Sequence, residues 1–81
     1  MFYLYIVQCR DGTLYTGTAR DMDARIKLHN SGKGARYTRG RQPVTLLFSE
    51  EFETPGDALR REQEIKKWPR SRKWLLIQQK H

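Results

Sequence analysis

The chain has 81 residues, 37% of them hydrophobic, and sixteen Lys and Arg against nine Asp and Glu give it a net charge of +7. That length predicts a single domain over residues 1–81 with one modest core; the lone Cys9 excludes an internal disulfide, and no Cys/His cluster has zinc-ligand spacing, so packing alone must hold the fold. The opening run MFYLYIVQC is short, lacks a basic leader and meets Arg10 and Asp11 too early for a signal peptide or membrane span, so a soluble monomer of the reducing cytoplasm with no membrane partner is expected.

Residues 2–9, rich in aromatic and β-branched side chains, predict a strand. A second strand over 14–18 follows the turn signal Asp11-Gly12, and the two make a hairpin. Asp21 is placed to cap a helix running to about residue 30, where Ser31-Gly32 and Gly34 end it. Residues 31–42, SGKGARYTRGRQ, read as a flexible, solvated basic loop closed by Pro43. VTLLFSEEF, residues 44–52, predicts a third strand, although its Leu-Leu-Phe run breaks the alternation. Thr54 then caps a helix with Pro55 at its first position, interrupted at Pro69, and RSRKWLLIQQK, residues 70–80, supplies a last helix. The order β-β-α-β-α-α implies an α+β fold, a small three-stranded antiparallel sheet flanked by helices.

The charge is uneven along these elements. Residues 31–42 carry Lys33, Arg36, Arg39 and Arg41 without an acid, residues 48–57 hold four acids, and from Ala58 onward eight basic residues face two acidic ones. Release of counterions from a polyanion is the natural use of such a pattern, and nucleic acid is the commonest polyanion. In the basic loop the cations are expected to clamp backbone phosphates, with Tyr37 interleaved to stack on a base.

Helical periodicity separates core positions from chemical ones. Met22, Arg25, Ile26 and His29 share one face of the first helix, so two polar residues interrupt an apolar stripe. On the second, Ala58, Leu59, Glu62 and Ile65 define the inward face while Glu64 points away. A carboxylate turned toward a core needs a partner. A Glu62–Arg25 ion pair would supply one with no catalysis at all, His29 alone would be an ordinary core histidine, and Tyr5 or Tyr15 alone an ordinary strand aromatic.

Together, Tyr5, Tyr15, Arg25, His29 and Glu62 resemble the catalytic set of the GIY-YIG nuclease domain. Tyr3-Leu4-Tyr5 stands where that family has GIY and Tyr15-Thr16-Gly17 where it has YIG; Arg25 falls eight residues after Gly17, His29 four after Arg25, and Glu62 lies within ALRREQEIKKW. The resemblance spans essentially the whole chain and is to the small stand-alone bacterial members. Thr18 stands where a lysine often follows YIG, and an asparagine that some relatives carry near the C terminus is absent.

What the resemblance implies is a metal-dependent phosphodiesterase acting on DNA, in repair or nucleic-acid processing. Glu62 would hold a single Mg2+ or Mn2+, Arg25 would pair with the scissile phosphate, and Gly17 would be structural. Tyr5 would be the general base, Tyr15 would position water or phosphate, and His29 would orient Tyr5 or relay its proton. Since a tyrosine ordinarily titrates near 10, a nearby cation is expected to lower Tyr5. Two other readings stand beside this one: a non-catalytic nucleic-acid-binding module of the same fold, and an interaction domain in which Glu62 and Arg25 form an internal pair. Nothing in the chain resembles a recognition helix, so weak or structure-based selectivity is expected.

The nuclease reading also fixes a register. If Asp11-Gly12 alone formed a two-residue turn, Gln8 would oppose Tyr15, and Tyr5 would lie on the other face of the sheet. An odd-length loop or a bulge near residues 10–13 places Tyr5, Val7, Tyr15 and Gly17 on one face, because side chains alternate strictly along paired strands.

Overall fold

The computed structural model describes residues 1–79; the expected end of the last helix at Lys80 lies outside them. The element order is β1 (Phe2–Gln8), β2 (Leu14–Ala19), α1 (Met22–Asn30), a 3-10 turn (Arg36–Thr38), β3 (Thr45–Phe52), α2 (Pro55–Lys66) and α3 (Arg70–Gln79). The strands form one antiparallel sheet in the order β2-β1-β3. This is the β-β-α-β-α-α arrangement expected from the sequence.

β1 is central and covered on both faces, which is why it reads as a nearly continuous apolar run. Tyr5, Val7 and Cys9 pack with Ala19 and Val44 against Met22 and Ile26 of α1. Leu4 and Ile6 turn the other way, into a second cluster with Phe48 and Ile65 that Phe52, Trp68, Leu76 and Ile77 complete. Two apolar faces on one thin sheet let a short chain build a core without disulfide or metal.

The register is the odd one. Gly12 N–H donates to the Cys9 carbonyl at 2.9 Å and Cys9 N–H to the Thr13 carbonyl at 2.8 Å, closing a loop of Arg10, Asp11 and Gly12, with Gly12 at φ +86°. A left-handed residue after a tight turn is where glycine is favoured. Asp11 Oδ1 holds the turn by accepting from Thr13 N–H and Oγ1. Tyr5 therefore lies opposite Gly17 and Val7 opposite Tyr15, all on the α1 side. The imperfect alternation of β3 has a geometric cause as well. Ile6 pairs with Phe48 but Val7 with Leu46, so Leu47 is the extra residue of a β-bulge.

The helices begin at local caps: Asp21 accepts from Ala24 N–H at 3.0 Å, and Thr54 from Asp57 N–H at 3.2 Å with Pro55 in the first turn. Two expectations need correction. Leu59 is 47% exposed and does not join the inward face of α2; Ala58 and Ile65 fill the inward positions, and Leu59 lines a cleft with Phe2, Ala19 and Arg25. The basic segment is not a free loop either. Its backbone is tied to the β1–β2 turn by Arg10 N–H on the Arg41 carbonyl (2.7 Å), and the Arg41 guanidinium pairs with Asp11 at 2.9 Å. Where it enters β3, Asn30 Oδ1 accepts from Val44 N–H at 2.6 Å. Each tie joins positions far apart in sequence, which local composition cannot reveal.

Candidate active site

The paired strands set the first part of the site. With Gly17 opposite Tyr5, the phenol lies across the glycine: a Cβ on Gly17 would stand 2.6 Å from Tyr5 Oη and 3.1 Å from the Tyr15 ring. α1 brings the second part, since its inward face presents His29, which is fully buried. Tyr5 Oη and His29 Nε2 are 2.7 Å apart.

The chain of hydrogen bonds beyond that contact fixes where the protons sit. Thr38 Oγ1 donates its one hydrogen to the Ala35 carbonyl at 2.9 Å, so at 2.8 Å it must accept from His29 Nδ1–H. Burial, and next the charge of Arg25, push the His29 imidazolium below its ordinary range, leaving a neutral ring with a bare Nε2. Tyr5 O–H therefore donates to Nε2. The direction of every bond follows from the backbone carbonyl at the far end.

Tyr5 is pushed up from its ordinary pKa, against the expectation that a nearby cation would lower it. Burial is the largest cause and Tyr15 the next; Arg25 pulls the other way without overcoming them, and Glu62 adds a small upward push. Those last two effects place both the Arg25 and the Glu62 charge within reach of the Tyr5 hydroxyl. The internal pair expected between them is not what Glu62 makes. Its ion pair among the described residues is with Lys66, Oε2 to Nζ 3.4 Å, one helical turn along α2. The Glu62 side chain is 14% exposed.

Tyr15 is the hub of the aromatic contacts, with ring centroids 6.3 Å from Tyr5, 5.6 Å from His29 and 5.9 Å from Tyr37, the last nearly parallel at 20°. Lys66 Nζ lies 5.7 Å over the Tyr15 ring. Tyr37 already has ring partners, since Tyr15 stacks on it and the Arg41 guanidinium lies 4.5 Å from its ring centre, though it stays 40% exposed. Arg41, bound to Asp11 and to the Tyr37 carbonyl, works as a clasp. Lys33, Arg36 and Arg39 stay exposed, with no side-chain ion pair among the described residues.

Three residues of this site escape a reading of the sequence. Thr38 carries an expected cation loop's buried hydroxyl, and Gly34 lies so close to His29 that a Cβ there would overlap its ring and stand 2.8 Å from its Cα. Neither leaves a local signal, because each is defined by a ring that arrives from another element. Lys66 was missed as well, although its i, i+4 spacing from Glu62 is a signal that could have found it.

A metal fits this donor set in one way. Among the described residues no three His, Cys, Asp or Glu gather, so the carboxylate this site would offer a metal is the single one of Glu62, 14% exposed. One hard oxygen donor suits Mg2+ or Mn2+, which keep waters and take further ligands from phosphate.

The comparisons with known proteins agree with the geometry. The sequence profile described as the GIY-YIG catalytic domain matches residues 1–74. A UPF0213 protein of Staphylococcus aureus is 50% identical over 78 residues, covering 96% of this chain and 95% of that protein. Another, from Staphylococcus saprophyticus, is 53% identical over 75 residues, covering 93% and 92%. The solution NMR structure of a UPF0213 protein from Bacillus halodurans superposes with a TM-score of 0.64 at 47% identity, covering 99% of this chain and 86% of that one.

Proposed function

Because the chain belongs to the GIY-YIG catalytic-domain family, a nuclease family, we propose that it is a divalent-metal-dependent phosphodiesterase that cleaves DNA. The observation that carries this reading is the oriented chain from the Tyr5 hydroxyl through His29 and Thr38 to the Ala35 carbonyl, with Arg25 and Glu62 acting on the same hydroxyl.

Tyr5 holds no standing phenolate. Its oxygen takes the proton of the attacking water as its own proton passes to His29 Nε2, so the transfer accompanies bond formation at phosphorus. The imidazolium that results keeps Nδ1–H on Thr38, and the ring does not need to turn. Arg25 offers a rigid fork of donors to the scissile phosphate, and Tyr15 positions the water or the phosphate beside it. Glu62 would hold Mg2+ or Mn2+, and the ion would supply charge neutralisation at the phosphate and stabilisation of the departing 3′ oxygen. Lys33, Arg36 and Arg39 contact the backbone phosphates that flank the reacting one, which gives affinity without sequence reading. The context is DNA repair or processing by a monomer in the bacterial cytoplasm; among the described residues no helix is long and apolar enough to cross a membrane.

The test incubates the protein with labelled single-stranded, duplex and branched DNA, with and without Mg2+ or Mn2+, beside Glu62→Ala and Arg25→Ala. Metal-dependent cleavage that both substitutions abolish while binding persists is the expected result. Binding without cleavage in all three proteins would instead assign a non-catalytic nucleic-acid-binding module.

A further inference from the structure

Lys66 is the one charged side chain of the site that the proposed mechanism leaves without work. It ends the last turn of α2, and its side chain is 48% exposed, so nothing obliges it to fold inward. Even so, its ammonium stands 3.4 Å from Glu62 Oε2 and 5.7 Å over the Tyr15 ring. A separation of 3.4 Å is longer than a close charge-assisted hydrogen bond, which spans about 2.7–2.9 Å. The ammonium is thus held near the carboxylate by charge and by the face of an aromatic ring, with the solvent side open. Lys73 is near enough for the two lysine charges to repel.

We propose that Lys66 is a tethered counter-cation at Glu62 that competes with the divalent ion for this carboxylate and so sets the metal affinity of the site. This rests on the reading of Glu62 as the metal ligand. Before metal enters, Lys66 compensates a carboxylate that is only 14% exposed, at little cost, because the lysine stem is one helical turn away. A divalent ion on the same carboxylate would repel the ammonium, so Lys66 would give way to it. The swing is short and leads into solvent. Lys66 acts through Glu62 and is a positioning residue.

The consequence is an affinity that rises when a positive charge is removed, but only this one. Mn2+ binding to the purified full chain, followed by loss of the free-ion EPR signal at low ionic strength, reads it directly. Lys66→Met keeps the stem over Tyr15 and should bind Mn2+ about fivefold more tightly than the parent, by the size of the repulsion removed. Lys66→Arg keeps the charge and should stay within about twofold of the parent, as should Lys67→Met, which deletes the same charge one residue further along the helix. Glu62→Gln should lose binding in either background. Melting curves for each variant separate a folding defect from a binding effect, and Lys66→Gln replaces the methionine variant if that one is unstable.

If Lys66→Met binds no more tightly than the parent while Glu62→Gln still abolishes binding, the competition is refuted and the metal-ligand role of Glu62 survives. If Glu62→Gln binds Mn2+ as well as the parent does, or neither the parent nor Lys66→Met binds, both are refuted. Equal tightening by Lys67→Met would also refute the proposal, because it would reduce the effect to net charge.

Discussion

At the scale of single residues, the site depends on keeping His29 neutral and pointed. A buried imidazole between a phenol and a threonine has one ring nitrogen to donate and one to accept, and the Ala35 carbonyl decides which is which. The same burial links the site to stability. Because the folded state holds the His29 pKa below its ordinary 6.5, the unfolded chain binds a proton at a higher pH than the folded one does. The contribution of the neutral ring is whole above about pH 6.5 and is lost progressively as the pH falls through the folded value. The urea midpoint should therefore decline between pH 7 and 5. Asp11, lowered to about 2 by its bonds to Thr13 and then by Arg41, and Asp57, lowered by Thr54 and Arg60, lose their contributions only below about pH 4, a separate window. A midpoint that stays flat from pH 7 to 5 would contradict the buried neutral histidine.

At the scale of elements, the hairpin is what assembles the tyrosines. Its three-residue loop sets the odd register, and that register puts Gly17 under the Tyr5 ring, where no side chain fits. Gly17→Ala should cost about 1–3 kcal/mol by overpacking and, by shifting the phenol away from His29, reduce cleavage more than it reduces stability. Thermal melts and cleavage rates measured on the same preparation check this; wild-type cleavage in a folded Gly17→Ala protein would show that the Tyr5–His29 contact is not needed. The elements that local chemistry writes were legible in the sequence: Asp21 and Thr54-Pro55 at helix starts, Gly12 in the turn, periodicity for Ile26 and Ile65. The meeting of Tyr5 and His29 was expected only from the family resemblance; the helical repeat put His29 on the inward face of α1 without naming its partner. Thr38, Gly34 and the order of residues 31–42 were not legible. They depend on the Asp11–Arg41 pair, the Asn30 bonds to Val44 and the His29 ring, contacts between segments that no local pattern connects. Leu59 misled because the helical repeat allots it to an apolar stripe, whereas α2 sits on the sheet through Ala58 and Ile65 and leaves Leu59 at a cleft.

At the scale of the whole molecule, a net charge of +7 surrounds a site in which Lys66 pairs with Glu62, while Lys33, Arg36 and Arg39 stand exposed on the segment that Tyr37 joins to Tyr15. In the proposed function the exposed cations draw a polyanion toward this site, and the Glu62 carboxylate receives the divalent cation. In the proposed mechanism the chemistry turns on a single proton, the one Tyr5 shares with His29. The most direct measurement is the single-turnover cleavage rate of Tyr5→Phe, with protein in excess over labelled DNA and saturating Mn2+ or Mg2+, beside Tyr15→Phe and the parent. A rate lower by about a hundredfold or more in Tyr5→Phe, with DNA affinity retained and the protein folded, is what a proton-transferring Tyr5 predicts. A Tyr5→Phe rate within a few-fold of the parent, with cleavage lost instead in Tyr15→Phe, would contradict it.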